Sequence, residues 1–478
     1  MPKNFLAAIP AVLLVLFPAH PLPNGRDILA AKQFEQAKSC FQDQEFFQAQ
    51  RLANLARVNS PDSAAPWLLI GHCFYLQGQD RAALYYYSTA LKLDPKIGHL
   101  PPFFAALRNQ SPAPALRLGP KELASLRRKI GQMIMVSVPG TRLTGQKKAM
   151  LNAGWIGGVI LFNQNIESRD QIQRYVAQLQ QNAPTPLFVA VDQEGGAVRR
   201  LREAQGFQRL PSLAALGQTK SPDLAYRFGI LSGRQLRAVG ANLNLAPVVD
   251  LDQGSSDSII SKYRRSLGSD PRLVSSLACQ IVRGMRAENI IATAKHFPSE
   301  TESDSNPHSQ MAVAEAPLSE LENRDMVPYR DLIAKGSLDA VMLSHVIYKN
   351  VDPYFPASLS SEMIQTYLRQ KLGYQGLVIS DDLRMNAIKQ YFPLEVSVVQ
   401  AVNAGVDVLL VTDNLERRVM DTLVAAVESG KVPMSAIDDA YGRIMKTKAK
   451  YGILALKRPS AAPLRQARAD GLLEIAKN

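Results

Sequence analysis

Cysteine is scarce in this sequence: Cys40, Cys73 and Cys279 are the only three among 478 residues. Their odd number and wide spacing match neither a disulfide framework nor a zinc site. Blocks of about five or more like charges are also lacking, and no aromatic residues are interleaved with a basic stretch. The net charge of +13 therefore indicates a generally basic surface or a preference for an anionic cell-wall polymer, and we predict no nucleic-acid binding.

Nucleotide-binding glycine motifs are missing as well. No apolar, strand-like run is followed by a G-x-G-x-x-G turn or by a phosphate-binding loop. Their absence counts against an open, doubly wound nucleotide-binding sheet, and we predict no cofactor.

The N-terminus resembles a secretory signal: Lys3 precedes a mostly apolar stretch over residues 5–19, and a polar, helix-breaking stretch follows. The apolar stretch is shorter than the about 20 residues that span a bilayer, and Pro10 and Pro18 interrupt it. We predict that residues 1–26 are a signal peptide or N-terminal anchor, and that the protein is exported, periplasmic or associated with the cell envelope. The cleavage pattern is poor, so a buried terminal helix stays an alternative.

Residues 64–97 match the helix-turn-helix pattern of a 34-residue repeat. The matching positions are Trp67, Ile70, Gly71, Phe74, Ala83, Tyr87, Ala90 and Pro95. Residues 30–63 have the features of a degenerate first copy, and the pattern resembles tetratricopeptide repeats. Because about three such repeats are normally needed to bury their faces, we expect residues 27–97 to lean on the next domain or to dock a protein partner.

The chain then changes in composition. Five prolines between residues 98 and 120 disfavour a regular helix and indicate a linker. Few acidic residues accompany the many lysines and arginines at the C-terminus, so we expect residues 456–478 to form a basic tail that is surface-bound or frayed.

Eight short apolar runs alternate with longer helical stretches between residues 121 and 455. The runs are IGQMIMVSV from 130, IGGVILF from 156, LFVAVDQ from 187, NLNLAPVV from 242, ATAKHF from 292, AVMLSHV from 340, LVISDD from 377 and VDVLLVT from 406. Eight strand-helix units of this length predict an α/β fold, a (β/α)₈ TIM barrel preceded by a small all-α helical-repeat domain. An open, doubly wound sheet is the alternative.

Polar residues follow several of these runs where each strand should end. The segments are Asp192-Gln193-Glu194, Lys295-His296, Ser344-His345 and Ser380-Asp381-Asp382. Each buried charge would cost several kcal/mol unless it were paired or faced a polar cleft. Because active sites of TIM barrels form at the carboxyl ends of the strands, four such ends together predict a catalytic site.

Over residues 121–455 the motifs resemble glycoside hydrolase family 3, in its bacterial β-N-acetylglucosaminidase branch. The motifs, in the family's order, are VDQEGG followed by Arg200, LAPVVDLD with RSLGSDP, KHFP, MLSHV with a later PASLS, and GLVISDDLRMNAI. The resemblance implies that Asp381 is the nucleophile, with Asp382 as a charged neighbour. It also implies that the substrate sugar is held by Asp192, Arg200, Arg265, Lys295 and His296.

The loop after KHFP departs from the family pattern. Without gaps, His308 aligns with the histidine that serves as general acid/base in the family, but Asn306 replaces the aspartate that would pair with it. A neutral amide can orient the imidazole but supplies no charge to favour its protonated form. Three loop carboxylates, those of Glu300, Glu302 and Asp304, offer another source of charge or of the acid itself.

These residues predict a retaining glycosidase that needs no metal and forms a covalent glycosyl-enzyme on Asp381, with carboxylates about 5 Å apart if two are used. We expect it to remove non-reducing β-linked N-acetylglucosamine, with peptidoglycan fragments favoured as substrates. Two alternatives stay open. One is a catalytically impaired sugar-binding barrel whose repeats dock a protein, and the other is a different sugar specificity, such as that for a β-glucoside.

Overall fold

The computed structural model describes residues 25–43, 45–60, 62–76, 80–94, 116–255, 258–300, 311–455 and 472–475. The chain folds as two units, one formed by residues 1–114 with 389–396 and the other by residues 115–388 with 397–478. The predicted signal up to residue 24, the linker up to residue 115 and most of the basic tail lie outside the described residues. None of the helices described in these ranges is long and apolar enough to cross a membrane.

The first unit contains helices α1 (Gly25–Gln42), α2 (Phe46–Asn59), α3 (Ala64–Leu76) and α4 (Asp80–Leu93). Each helix packs on the next. Gly71 of α3 lies directly against the ring of Tyr87, where a β-carbon would come within 2.8 Å of a ring atom. The Phe74 and Tyr86 rings stack at 5.2 Å between centroids. This packing fits two helical hairpins, and their interpretation as tetratricopeptide repeats stays a prediction.

Residues 389–396 belong to this helical unit although they follow the seventh barrel strand in sequence. Arg57 of α2 donates from Nη2 to the backbone oxygen of Gln390 at 3.2 Å. Its guanidinium also lies 4.7 Å from the centre of the Trp67 ring. The Tyr86 hydroxyl donates to the backbone oxygen of Tyr391. The helical unit therefore includes a peptide from a distant part of the chain.

The second unit is built on a ring of eight parallel strands. They are β1 (Ile134–Ser137), β2 (Gly158–Leu161), β3 (Phe188–Val191), β4 (Leu243–Asn244), β5 (Ile291–Phe297), β7 (Ala340–Leu343), β9 (Leu377–Ser380) and β10 (Leu409–Val411). Each strand pairs with the next one of the ring, β10 pairs with β1, and a bridge between Ile379 and Val408 joins the last two strands. Each strand coincides with one predicted run, so the (β/α)₈ barrel is confirmed.

A second, two-stranded parallel sheet lies beside the barrel sheet and is formed by β6 (Ala312–Ala314) and β8 (Val346–Tyr348). The remaining helices are α5 (Pro120–Met133), α6 (Gly145–Asn152), α7 (Arg169–Gln181), α8 (Leu213–Gln218), α9 (Pro222–Ala238), α10 (Ile259–Lys262), α11 (Pro271–Ala287), α12 (Leu318–Asn323), α13 (Val327–Ala334), the π-type α14 (Glu362–Lys371), α15 (Asn386–Lys389), α16 (Leu394–Ala404), α17 (Glu416–Glu428), α18 (Met434–Lys450) and α19 (Leu472–Ile475). Of these, α15 and α16 reach into residues 389–396.

The barrel strands form because short β-branched and aliphatic runs are buried on both faces, as closed parallel sheets require. All four residues of β2, β3, β7 and β9 are buried. At the amino-terminal end of the barrel, buried Lys448 donates from Nζ to Gln132 Oε1 and to the backbone oxygens of Gly157 and Pro186, at 2.6 to 2.9 Å. These bonds satisfy polar groups at this end, opposite the predicted site.

Candidate active site

Six of the predicted site residues lie at the carboxyl-terminal face of the barrel. They are Asp192 after β3, Lys295 and His296 in β5, Asp381 after β9, and Arg200 and Arg265 on the loops after β3 and β4. Parallel strands of a barrel present their carboxyl ends at one face. The residues are therefore brought together from segments almost 200 positions apart in sequence.

Strand β5 places two consecutive side chains in the site. Side chains of a regular strand alternate between its faces, so Lys295 and His296 would normally point apart. The pairing of β5 with β7 shifts register between Ala294 and Phe297. Such irregularities re-aim side chains next to active sites, and both residues here contact acidic site residues.

Asp192 lies between two cations. Its Oδ1 accepts a bond from Lys295 Nζ at 2.9 Å, and its Oδ2 accepts one from Arg200 Nη2 at 3.2 Å. Buried Gln193 fixes the loop that supplies Arg200, because its Oε1 accepts the backbone N–H groups of Arg200 and Leu201. This cluster offers charged donors and acceptors suited to sugar hydroxyls.

Glu194 is the buried anchor of the same cluster, with a side chain that is 1% exposed. It accepts both Nε and Nη2 of Arg265, at 2.8 and 2.9 Å, and Lys295 Nζ lies 2.7 Å from its Oε1. Burial alone would raise the pKa of Glu194, but the charges of Arg265 and Lys295 hold it well below its usual range. Nothing in the spacing of the DQEGG segment assigns these partners to Glu194.

Asp250, which comes from the loop after β4, orients His296. The imidazole Nδ1 donates to Asp250 Oδ2 at 2.7 Å, and the backbone N–H of Glu300 donates to Asp250 Oδ1 at 3.0 Å. Burial would lower the pKa of His296, but the carboxylates of Glu300 and Asp250 raise it. In the sequence, Asp250 is marked only by its position directly after the run NLNLAPVV. The motif does not indicate its role.

Glu300 points into the same group. Its Oε2 lies 3.3 Å from His296 Nδ1, and single side-chain donor atoms of His296, Glu300 and Asp381 all lie within 4.8 Å of one another. Burial, together with the carboxylates of Asp250 and Asp381, raises the pKa of Glu300 to about 7, against the opposing charge of His296. Two carboxylates with different proton affinities therefore lie side by side.

Asp381 and Asp382 have different surroundings. Asp381 Oδ1 accepts the backbone N–H of Asp382 at 2.7 Å. Burial would raise the pKa of Asp381, but His345, His296 and this N–H bond hold it below its usual value. The Asp382 carboxylate instead accepts the backbone N–H of Arg384 and both the N–H and hydroxyl of Thr412. Asp382 therefore shapes the loop, whereas Asp381 remains available for chemistry.

His345, at the end of β7, supports this loop. Its Nε2 donates to the backbone oxygen of Asp382 at 3.0 Å, and its Nδ1 lies 2.7 Å from Ser358 Oγ. Because one ring nitrogen contacts Asp382 and the other contacts Ser358, the imidazole is held in place near Asp381.

The family model for the glycosyl hydrolase family 3 N-terminal domain matches residues 125–447, which is more than half of the chain and contains every residue of the candidate site described above. The chain belongs to glycosyl hydrolase family 3.

Individual relatives agree with this family 3 assignment. The chain is 38% identical over 285 residues to a β-hexosaminidase of Xylella fastidiosa, a match that spans 58% of this chain and 83% of the relative. A β-hexosaminidase of Nitrosomonas eutropha is 36% identical over 287 residues, 59% of this chain and 80% of the relative.

Solved structures of family 3 members resemble the fold. A β-N-acetylglucosaminidase from Paenibacillus sp. has a TM-score of 0.68 at 33% identity, covering 74% of this chain and 67% of that one. The NagZ protein of Neisseria gonorrhoeae, solved with N-trifluoroacetyl-D-glucosamine, has a TM-score of 0.60 at 28% identity, covering 72% of this chain and 97% of that one.

The loop that follows KHFP in this family 3 chain is described only up to Glu300. His308 and Asn306 lie outside the described residues, as do Glu302 and Asp304. The roles inferred for them from the resemblance stay predictions. The roles of Asp381 and of the five residues expected to hold the sugar are likewise predictions, although their side chains lie in one site.

The grouping of His296, Glu300 and Asp381 is also compact enough to raise the question of a metal ion. Metal binding requires deprotonated ligands, so it would compete with protonation of Glu300, whose surroundings raise its pKa to about 7. The same three side chains can also donate and accept protons.

Gly195 sets the turn that carries this machinery. Its φ of 97° lies in the left-handed region, and a β-carbon would come within 2.2 Å of the backbone oxygen of Pro211. We expect Gly195→Ala to reduce the free energy of unfolding by about 1–3 kcal/mol and to lower turnover, because Asp192 and Glu194 lie directly before the displaced turn. Urea denaturation measures the first effect.

Gly206 provides the matched control, with a φ of 87° but no atom within 4 Å of its would-be β-carbon. Gly206→Ala has the same conformational cost without the steric clash, and should destabilise less and leave turnover unchanged. Equal effects of the two substitutions would contradict a specific role for the Gly195 turn.

Proposed function

We propose that this chain is a retaining β-N-acetylglucosaminidase that forms a covalent glycosyl-enzyme on Asp381. The observation that supports it most directly is the position of Asp381 at the carboxyl end of β9, with a second carboxylate, that of Glu300, within 4.8 Å. Retaining glycosidases place two carboxyl groups about 5–5.5 Å apart, whereas inverting enzymes need about 6.5–9.5 Å.

The names of the relatives support N-acetylglucosamine as the sugar that is removed. Two β-hexosaminidases and a β-N-acetylglucosaminidase are 33% to 38% identical to this chain over the aligned residues. In the proposed complex, Asp192 accepts sugar hydroxyls while Lys295 and Arg200 donate to others. These charge-assisted bonds hold the non-reducing residue over Asp381.

The reaction takes two displacements. Asp381 attacks the anomeric carbon as the glycosidic bond breaks, and the departing oxygen takes a proton from a general acid. Water, deprotonated by the same group acting as base, then attacks the anomeric carbon and releases Asp381. Two inversions give net retention of configuration.

The cellular setting is part of the proposal. The signal-like N-terminus and the net charge of +13 favour an exported enzyme that acts on peptidoglycan fragments. The helices of the first unit are proposed as a docking module for a protein of the cell envelope.

The test is an assay with 4-nitrophenyl β-N-acetylglucosaminide, followed by NMR of the first sugar released. We expect turnover with the β-anomer formed first, and slower cleavage of the matching β-glucoside. Cleavage of muropeptides in preference to chitobiose would support the proposed natural substrate. The α-anomer as first product would contradict the mechanism, and absence of turnover would favour a sugar-binding barrel.

A further inference from the structure

We propose that Glu300 is the general acid/base of this enzyme, in the role that the family resemblance gives to His308. This inference rests on the proposed function and names a catalytic residue that the family pattern does not contain. Directly after KHFP, the family pattern has a glycine, a histidine and a glycine. This chain has Ser299, Glu300 and Thr301 at those three positions, so Glu300 replaces a histidine other than the one that aligns with His308.

The spacing of the two carboxyl groups is the first support. Glu300 reaches within 4.8 Å of Asp381 at the donor atoms, close to the spacing of about 5–5.5 Å at which one carboxyl attacks the sugar while the other protonates the leaving oxygen. Inverting enzymes place the two carboxyl groups about 6.5–9.5 Å apart, so that a water molecule fits between the sugar and the base, and these two oxygens lie closer together than that.

The backbone holds Glu300 in place on both sides. Its own N–H donates to Asp250 Oδ1 at 3.0 Å, and the preceding carbonyl, that of Ser299, accepts the hydroxyl of Tyr348. The Glu300 side chain is only 3% exposed. A buried carboxyl that is fixed by its neighbours has the pre-organisation that proton transfer requires.

The surroundings shift the pKa values of the two carboxyl groups in opposite directions. Burial and the carboxylates of Asp250 and Asp381 raise the pKa of Glu300 to about 7, although His296 and Arg265 act in the other direction. The hydroxyl of Tyr329 also lies within electrostatic range. The pKa of Asp381 is lowered. Pairs of this kind divide into acid and nucleophile.

Glu300 transfers one proton in each of the two displacements. Protonated Glu300 gives its proton to the glycosidic oxygen as that oxygen leaves the anomeric carbon. An Asp381 Oδ atom bonds to the anomeric carbon in the same step. The Glu300 carboxylate next takes a proton from water as the water oxygen attacks the anomeric carbon. The ester to Asp381 breaks, and both carboxyl groups return to their starting states.

Glu300→Gln tests the proposal, because it keeps the shape of the side chain but removes the proton. We expect kcat/KM on chitobiose, whose leaving group needs protonation, to fall about 10²–10³-fold. With 2,4-dinitrophenyl β-N-acetylglucosaminide, whose leaving group needs no acid, the fall should be much smaller. Added azide should restore turnover and yield the β-glycosyl azide, since an anion needs no base to attack.

The pH profile gives a second measurement. The wild-type enzyme needs the protonated acid, so its kcat/KM on chitobiose should decline as the pH rises above about 7. This basic limb should be absent in Glu300→Gln and present in Glu300→Asp, which keeps a carboxyl group. Glu315→Gln, at an exposed residue paired with Lys349, is the matched control and should behave as wild type.

His308→Gln is the competing arm. If it shows the leaving-group dependence and azide rescue while Glu300→Gln shows neither, the histidine is the acid and the proposal is overturned. An unfolded Glu300→Gln, detected by circular dichroism, leaves the decision to the basic limb of Glu300→Asp and to His308→Gln. A wild-type protein without turnover on either substrate would instead contradict the proposed function.

Discussion

Asp381→Asn should lower kcat/KM on an aryl β-N-acetylglucosaminide on the order of 10⁴-fold or more, as loss of a nucleophile does in other covalent enzymes. The amide oxygen of asparagine is a poor nucleophile, and no other carboxylate among the described residues follows β9 in an equivalent position. Asp382 cannot replace it, because its oxygens accept bonds from Arg384 and Thr412. A fluorinated glycoside that traps the intermediate should label Asp381 in the wild-type enzyme.

Asp413→Asn is the control for this loss. Asp413 is an aspartate on the neighbouring loop, 58% exposed and paired with Arg384 at 3.2 Å, and its replacement should leave activity near the wild-type level. Label on any residue other than Asp381, or wild-type activity in Asp381→Asn, would overturn the assignment of the nucleophile.

Glu194→Ala should be the most destabilising substitution in the site, with a loss of about 3–5 kcal/mol in the free energy of unfolding. The reason is that Arg265 and Lys295 would keep their charges in a buried site without the carboxylate that both contact. Guanidinium denaturation of the variant and the wild type measures the difference. Asp438→Ala, which removes an exposed ion pair with Lys129, should cost less than about 1 kcal/mol.

Low pH should remove the contribution of Glu194 to the free energy of unfolding. The pKa of Glu194 in the folded protein is held below its unfolded value, which is near 4.3. Its contribution is therefore complete above that pH and is lost as the pH falls below it. The stability difference between wild type and Glu194→Gln should shrink below about pH 4, and a difference that stays constant down to pH 2 would contradict a charge effect.

The barrel is predictable from sequence because each strand is a short apolar run with polar residues at its carboxyl end. Strand β4 shows the limit of this pattern, since the run NLNLAPVV forms regular pairing only at Leu243 and Asn244. The small sheet of β6 and β8 has no such signal. Three residues of alternating burial, as in Ala312–Ala314, are too few to distinguish a strand from a loop.

The site divides in the same way. Asp192, Lys295 and Asp381 are identifiable because they stand at strand ends inside family-like motifs. Glu194 lies just after β3 and Asp250 lies on the loop after β4, but their partners come from other strands and loops. Which carboxylate pairs with which cation depends on the register of the ring, and a linear spacing does not contain that information. Glu300 is the one loop acid within the described residues, and its distance to Asp381 could not be read from the sequence.

The peptide Lys389–Val396, which the helical unit holds against Arg57 and Tyr86, limits how the chain can be divided. Removing residues 1–114 leaves this stretch behind without the helices that its backbone oxygens bond to. It begins eight positions after Asp381, so a shortened chain would carry this stretch, without its hydrogen-bond partners, close in sequence to the proposed nucleophile.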